Sequence, residues 1–384
     1  MALDEMPHHI TFGLASVDRA IAKMITHYDR WQYLELIMPS ACAQPVFAKL
    51  SEGSALLKFL RVMMMATTTD NNQLTIDLSR QVVLSGLTLY TTRTQFMINH
   101  ATMQNVRTLE MVFSTIHDCF LCLDLCPSAH NVYFRFHDTV DFRPSGSQAI
   151  RILPSIRTLS LQIWSGSYDL RRDIGPFLDC LQLPRLGELD LCPTPLPETL
   201  EPWRHMSDLL ERSNPPLESL KVKTLIPMDE FWECLRKAPG LEVLLAVPEL
   251  FSNPTLDNLT RGLDSEQPFV CPRLKQIELA FCDHASCEDA AELVLRRWYG
   301  TGMDTKPSHA SQSSRICSVL LLISKGNQVD SFLYYPGIRQ CIRDGLSVTS
   351  CDRQFHTIIH AVSYEAVYKY DHSKFSQKRE PTES

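Results

Sequence analysis

Glycine is scarce in this chain, 14 of 384 residues, and the phrases that glycine-rich loops build are missing with it. No G-x-G-x-x-G, G-x-x-x-x-G-K-[ST] or G-x-S-x-G occurs, which removes the dinucleotide fingerprint, the phosphate-cradling loop and the hydrolase nucleophile elbow. Basic blocks are missing too. The chain carries 37 Lys+Arg against 44 Asp+Glu, a net charge of -7, and so lacks the electrostatic footprint of a nucleic-acid binder. No apolar run approaches the roughly 18 residues that a membrane span needs. Asp4 and Glu5 stand where a secretory signal carries positive charge. Cysteine, by contrast, is plentiful at 13. An odd count without a secretion signal predicts free thiols in a cytoplasmic or nuclear protein, packed as small hydrophobes. Cys180, Cys234, Cys271 and Cys317 all fall inside apolar periods.

What the chain has in quantity is a repeated phrase. Pro154 is followed by Ile156, Leu159 and Leu161; Pro184 by Leu186, Leu189 and Leu191; Pro215 by Leu217, Leu220 and Val222. Pro239 precedes Leu241, Leu244 and Ala246, and Pro272 precedes Leu274, Ile277 and Leu279. This P-x-L-x-x-L-x-L spacing is that of a leucine-rich-repeat strand. At 44% apolar residues a lone L-x-x-L-x-L window turns up by chance roughly once in twenty positions, so the proline register carries the reading. Proline is tolerated at the first position of a strand and stops a preceding helix. The template recurs without proline at Trp31-Leu34-Leu36, Leu57-Leu60-Val62, Leu84-Leu87-Leu89 and Val106-Leu109-Met111, and imperfectly at Asn131-Phe134-Phe136. The middle apolar residues, at 34, 60, 87, 109, 134, 159, 189, 220, 244 and 277, lie 22 to 33 residues apart and average 27. Leucine-rich repeats run at about 20–29. An eleventh strand is expected at Ile316, Val319 and Leu321.

The predicted fold is therefore α/β: a leucine-rich-repeat solenoid, or horseshoe, with about ten to eleven parallel strands on the concave face and helices on the convex face. Asp229 to Ala238 begins with acids, ends with Arg236 and Lys237, and is stopped by Pro239-Gly240, as a helix dipole favours. Met206 to Arg212 stops the same way at Asn214-Pro215-Pro216. Residues 1–28 read as an N-terminal helical lead-in, with a helical period over Ser16–His27. The solenoid spans 29–348, with a flexible polar insertion at 300–315 and a short helix over Ile338–Gly345 before Leu346 and Val348. Residues 349–371 form a C-terminal cap in which Thr357–Tyr370 suits strand or helix, and 372–384 a charged, disordered tail.

The phrases HYDRWQYLEL, PPLESLKV, CPRLKQIELA and IRQCIRDGLSV resemble those of F-box/leucine-rich-repeat-like proteins of mushroom-forming fungi, over Arg19 to Val348. That resemblance implies repeats that select substrates for a cullin–RING ubiquitin ligase, with an F-box that docks the ligase adaptor. An F-box opens with a phrase like LPxEL-x-x-I-F, and Met1 to His27 contain none, so this chain is expected to lack the F-box and its adaptor contact.

The binding residues of such a scaffold lie between the second and third apolar residues of each copy: Glu35, Arg61, Thr88, Glu110, Arg135, Ser160, Asp190, Lys221, Leu245 and Glu278. Nine of these ten are polar, as alternation requires of a sheet with one face in solvent. The adjacent row brings Tyr33, Phe59 and Tyr133, and aromatics beside arginine are hot-spot chemistry. A protein partner is thus expected on Tyr33, Glu35, Phe59, Arg61, Glu110, Tyr133, Arg135, Asp190, Lys221 and Glu278, with no nucleic acid, membrane, metal or cofactor and no catalysis. A standalone scaffold or inhibitor without a ligase link is the alternative. His117, Cys119, Cys122, Cys126 and His130 have spacings that zinc could use, but Phe120, Leu121, Leu123 and Leu125 between them indicate a core helix. Cys282, His284 and Cys287 lack a fourth ligand, and Thr357, between His356 and His360, stands where a metalloprotease needs glutamate. Asn258-Leu259-Thr260 fits a glycosylation acceptor that a cytosolic chain never uses.

Overall fold

The computed structural model describes residues 14–39, 42–65, 74–90, 94–97, 104–113, 116–137, 149–164, 174–192, 204–223, 226–247, 250, 259, 270–280, 284–299, 315–323 and 332–352. His356 and His360, Cys282, the cap from residue 353 onward with its Thr357–Tyr370 stretch, the insertion over 300–314 and the tail over 372–384 lie outside them. The chain divides into two compact bodies, Met1–Leu241 and Glu242–Ser384.

The first body opens with a helix, Leu14–Ile25, where the helical period predicts one. Its strands are β1 (Tyr33–Pro39), β2 (Phe59–Met65), β3 (Leu74–Asp77), β4 (Gly86–Tyr90), β5 (Thr94–Met97), β6 (Thr108–Phe113), β7 (Asn131–His137), β8 (Arg151–Ile152), β9 (Thr158–Trp164), β10 (Leu181–Gln182), β11 (Glu188–Cys192) and β12 (Ser219–Val222). Eight of them form one parallel sheet in the order β1-β2-β4-β6-β7-β9-β11-β12. Leu34, Leu60, Leu87, Leu109, Val132, Leu159, Leu189 and Leu220 lie opposite one another along it. All eight are buried, and burying each aliphatic side chain contributes roughly 1.5–3 kcal/mol.

One backbone device sets this register. The carbonyl just before each strand accepts two successive N–H groups of the next rung. Lys58 and Phe59 donate to Gln32, Ser85 and Gly86 to Lys58, Arg107 and Thr108 to Ser85, and His130 and Asn131 to Arg107. The pattern continues through the carbonyls of His130, Arg157 and Gly187. It places Val132, not Phe134, on the Leu109–Leu159 row, which corrects the imperfect copy by two residues. Val132, Phe134 and Phe136 are all buried. A two-residue slip leaves each on the same face, so alternation alone does not choose between them.

The prolines sit four residues before the strand start. Ile156 N–H donates to Leu153, Leu186 to Leu183 and Leu241 to Ala238, so Pro154, Pro184 and Pro239 each occupy the second position of a four-residue turn. A fixed φ is pre-set for that position and no N–H is needed there. Helices Met228–Arg236 and His205–Ser213 form as expected, the latter closing on Asn214 in the left-handed conformation. Not every connection is helical. β3 pairs with β5, and β8 with β10, in two short parallel ladders. In Leu74–Asp77 exposed Thr75 alternates with buried Ile76, a period of two where the simple repeat expects a helix. Buried Gln81 ties these turns together: its Nε2 donates to the Leu50 carbonyl at 2.6 Å and its Oε1 accepts from Ser54 N–H at 3.2 Å.

The second body has β13 (Val243–Ala246), β14 (Gln276–Ala280), β15 (Ser318–Ile323) and β16 (Ser347–Asp352) in one parallel sheet. Leu244, Ile277, Val319 and Val348 share its register. Thr349 to Asp352, expected as part of a cap, are the end of this last rung. Helices His284–Tyr299 and Ile338–Arg343 of this body pack against each other. Arg297 is fully buried there and donates to the carbonyls of Leu259, Val270 and Cys271.

Candidate functional site

Side chains opposite the core stack project from the other face of the first body's sheet, and they build a chain of polar pairs. Directly opposed residues come first. Arg61 Nη1 lies 3.1 Å from Glu35 Oε1, Thr88 Oγ1 donates to Glu110 at 3.4 Å, and Ser160 Oγ to Asp190 at 3.4 Å. Diagonal pairs fill the gaps. The Tyr90 hydroxyl donates to Glu110, Lys221 Nζ to Glu188 at 2.6 Å and Lys223 Nζ to Asp190 at 3.3 Å. In each diagonal the donor reaches back two residues on the neighbouring strand, within range of long side chains. Arg135 lays its guanidinium 4.7 Å from the Tyr90 ring centre.

Burial differs from expectation. Alternation predicts solvent exposure, yet Arg61 is only 7% exposed, and Thr88, Ser160 and Asp190 are buried with it. Phe59, Glu110, Tyr133, Arg135 and Lys221 are half-buried, and of the expected partner residues Tyr33 and Glu35 on β1 are open. Neighbouring rungs stand about 4.8 Å apart, so long side chains on one face cover one another and satisfy their charges mutually. The register shift also exchanges two residues: Tyr133 stands in the row of Glu110 and Ser160, and Arg135 stands opposite Val112 and Gln162. Glu278 belongs to the second body, where it is buried and accepts from Gln276 at 2.6 Å, and Leu245 is buried as well.

Burial pushes the Glu110 carboxyl above its ordinary value against the opposing pull of Arg135 and Arg61. It lowers the Arg135 guanidinium, which Glu110 partly restores. The Cys192 thiol on the same face is raised by burial, opposite to what an activated nucleophile needs. The remaining expectations about cysteine divide. Cys119, Cys122 and Cys126 are buried on and just after helix Ile116–Leu125, as the core reading has it. Cys180, Cys234 and Cys271 are buried too, but Cys317 is exposed because it occupies the outward turn position that donates to Lys275 O. Among the described residues no group of three His, Cys, Asp or Glu could hold a metal ion, and no helix is long and apolar enough to cross a membrane.

Comparison with known proteins returned no matching family model, curated protein or solved structure. The site therefore rests on its own geometry.

Three residues of this face were missed by looking only between the second and third apolar positions. Tyr90, Lys223 and Ile37 each lie two residues further along their strands. Extending the period-two count by one step finds them. Tyr33 is 73% exposed and Ile37 60% exposed, on either side of Glu35 on the edge strand. Tyr33 meets the Phe59 ring at 6.4 Å between centres. Phe59 in turn lies over Gly86, where a Cβ would stand 2.3 Å from its ring. The open end of the face is thus aromatic and apolar around one ion pair. Its interior sets Lys221 against Glu188, Lys223 against Asp190 and Arg135 near Glu110.

Proposed function

We propose that this chain is a non-catalytic protein-interaction module that holds its partner on the polar face of the first body's sheet. The observation that carries the reading is the exposure of Tyr33 and Ile37 beside the Glu35–Arg61 pair, with Phe59 next to Tyr33. Exposed aromatics flanking an arginine supply anchor area at small entropic cost. Deeper residues, already paired across rungs, give shape and polar complementarity and little net charge. Mechanistically the module displays side chains on stacked strands and breaks no bonds. Recognition of substrates for a cullin–RING ubiquitin ligase is the role that the resemblance to F-box/leucine-rich-repeat-like proteins supports, and a standalone scaffold or inhibitor is the alternative.

The test uses the full chain as bait, wild type against Tyr33→Ser/Ile37→Ser, with captured proteins quantified by mass spectrometry. Both side chains are exposed, so melting temperature should be unchanged. A partner retained by wild type and lost by the double variant is expected, while Leu121→Ser, on an exposed helix position away from this face, retains it. Equal capture by all three chains sinks the reading. Co-capture of the ligase adaptor selects the ubiquitin role. A partner without it selects the standalone role.

A further inference from the structure

Arginines scattered through the sequence converge at the start of the strands. Arg107, His130 and Arg157 precede β6, β7 and β9 at one register: His130 N–H donates to Arg107 O at 2.8 Å and Arg157 N–H to His130 O at 2.8 Å. Gly187 N–H donates to Arg157 O at 2.7 Å on the next rung. Arg185, two residues before Gly187, sits in the turn closed by Leu186 N–H and Leu183 O, where Pro184 stiffens the backbone. All three arginines are exposed and His130 is half-buried. Their proximity shows in the imidazole, which burial lowers first and Arg107, Arg157 and Arg185 lower further.

Several other cations of the first body are matched to acids, as at Arg61–Glu35, Arg151–Asp124, Lys221–Glu188 and Lys223–Asp190. At this rim they are not. Among the described residues Arg107 donates its guanidinium to the Ser128 carbonyl at 3.1 Å and to no acid, and Arg157 and Arg185 make no ion pair. The nearest acid on the same column is Glu218, two rungs beyond Arg157. Three rungs span about 10 Å, comparable to a Debye length at physiological salt, so the charges act as one field.

We propose that the rim formed by Arg107, His130, Arg157 and Arg185 docks a short acidic peptide segment of a protein partner. The span matches about three residues of extended chain. A nucleic-acid site needs a longer basic stripe than these three rungs supply. Tyr33 and Ile37 are on β1, three rungs along the sheet from Arg107 at the start of β6, so either site can fail without the other.

The test is fluorescence anisotropy of the full chain with a labelled peptide carrying four consecutive glutamates in a Gly-Ser background, against the same peptide with glutamines. Saturable binding of the glutamate peptide alone is expected, and it should weaken with added salt. Arg157→Glu/Arg185→Glu should weaken it by roughly tenfold or more, reversed rim charges acting through encounter and screening. Neither side chain carries a fold-supporting bond, so circular dichroism should be unchanged; Arg157→Gln/Arg185→Gln should bind with intermediate affinity. Equal binding of the glutamine peptide, or indifference to the double reversal, overturns the proposal. So does tighter, Arg157- and Arg185-dependent binding of a short oligothymidylate, which would make the rim a nucleic-acid site.

Discussion

Glu230 offers a sharp test of how neighbouring repeats are joined. It lies in the first turn of helix Met228–Arg236 and is only 3% exposed. Its carboxylate accepts from Ser207 N–H at 2.8 Å and from Ser207 Oγ at 3.0 Å, in the preceding helix His205–Ser213. That helix has no side-chain cap of its own at Arg204, so one repeat caps the helix of another. Removing a cap costs about 1 kcal/mol, and leaving a buried N–H without an acceptor adds about 1–3 kcal/mol. Glu230→Ala should therefore lose about 2–4 kcal/mol in urea denaturation, with faster hydrogen exchange at the Ser207 amide. Burial raises the Glu230 carboxyl above its ordinary value of 4.5, and the Ser207 hydrogen bonds only partly oppose it. The folded state thus holds this proton more tightly than the unfolded chain. Its contribution to stability falls as pH rises from 4.5 through the raised value. Glu230→Gln keeps the geometry and does not titrate, so the stability advantage of wild type over it should shrink across that window. A difference that is flat from pH 4.5 to about 8, or full stability of Glu230→Ala, would refute the reasoning.

Two further substitutions test the face and the second body. Gly86→Ala places a Cβ 2.3 Å from the Phe59 ring. It should cost about 1–3 kcal/mol by thermal melting and weaken partner capture along with Tyr33→Ser/Ile37→Ser. Arg297→Leu removes the guanidinium donor from the carbonyls of Leu259, Val270 and Cys271, of which Cys271 keeps the Leu274 N–H, and should cost about 3 kcal/mol and expose the 270–274 turn to proteolysis. Arg297→Lys should recover little, because a point charge cannot reach three carbonyls. Burial lowers the Arg297 guanidinium to about 10, still charged at neutral pH, so this loss should be flat between pH 6 and about 8.

The rungs were legible because repetition is a local property. Leu159, Leu189 and Leu220 announce their strands from spacing alone, and in-register stacking follows from burying identical residues on one another. Sequence could not choose Val132 over Phe134 for the fifth rung, because both satisfy the same alternation; the paired hydrogen bonds to Arg107 O decided it. Nor could it see that Arg61 and Asp190 are buried, since their cover comes from rungs about 30 residues away in the chain. The ladders β3–β5 and β8–β10 were hidden for the same reason: pairs of two to four residues carry too short a period to read.

By itself the sequence determined the strand-first repeat, the buried stack and the helices that proline and glycine stop, all set by steric and hydrophobic rules acting within one repeat. Only the tertiary structure decided which polar residues pair, which stay exposed at Tyr33 and Ile37, and that Arg107, Arg157 and Arg185 share a rim. Residues 22 to 50 positions apart become neighbours when repeats stack, and charge and burial depend on neighbours in space.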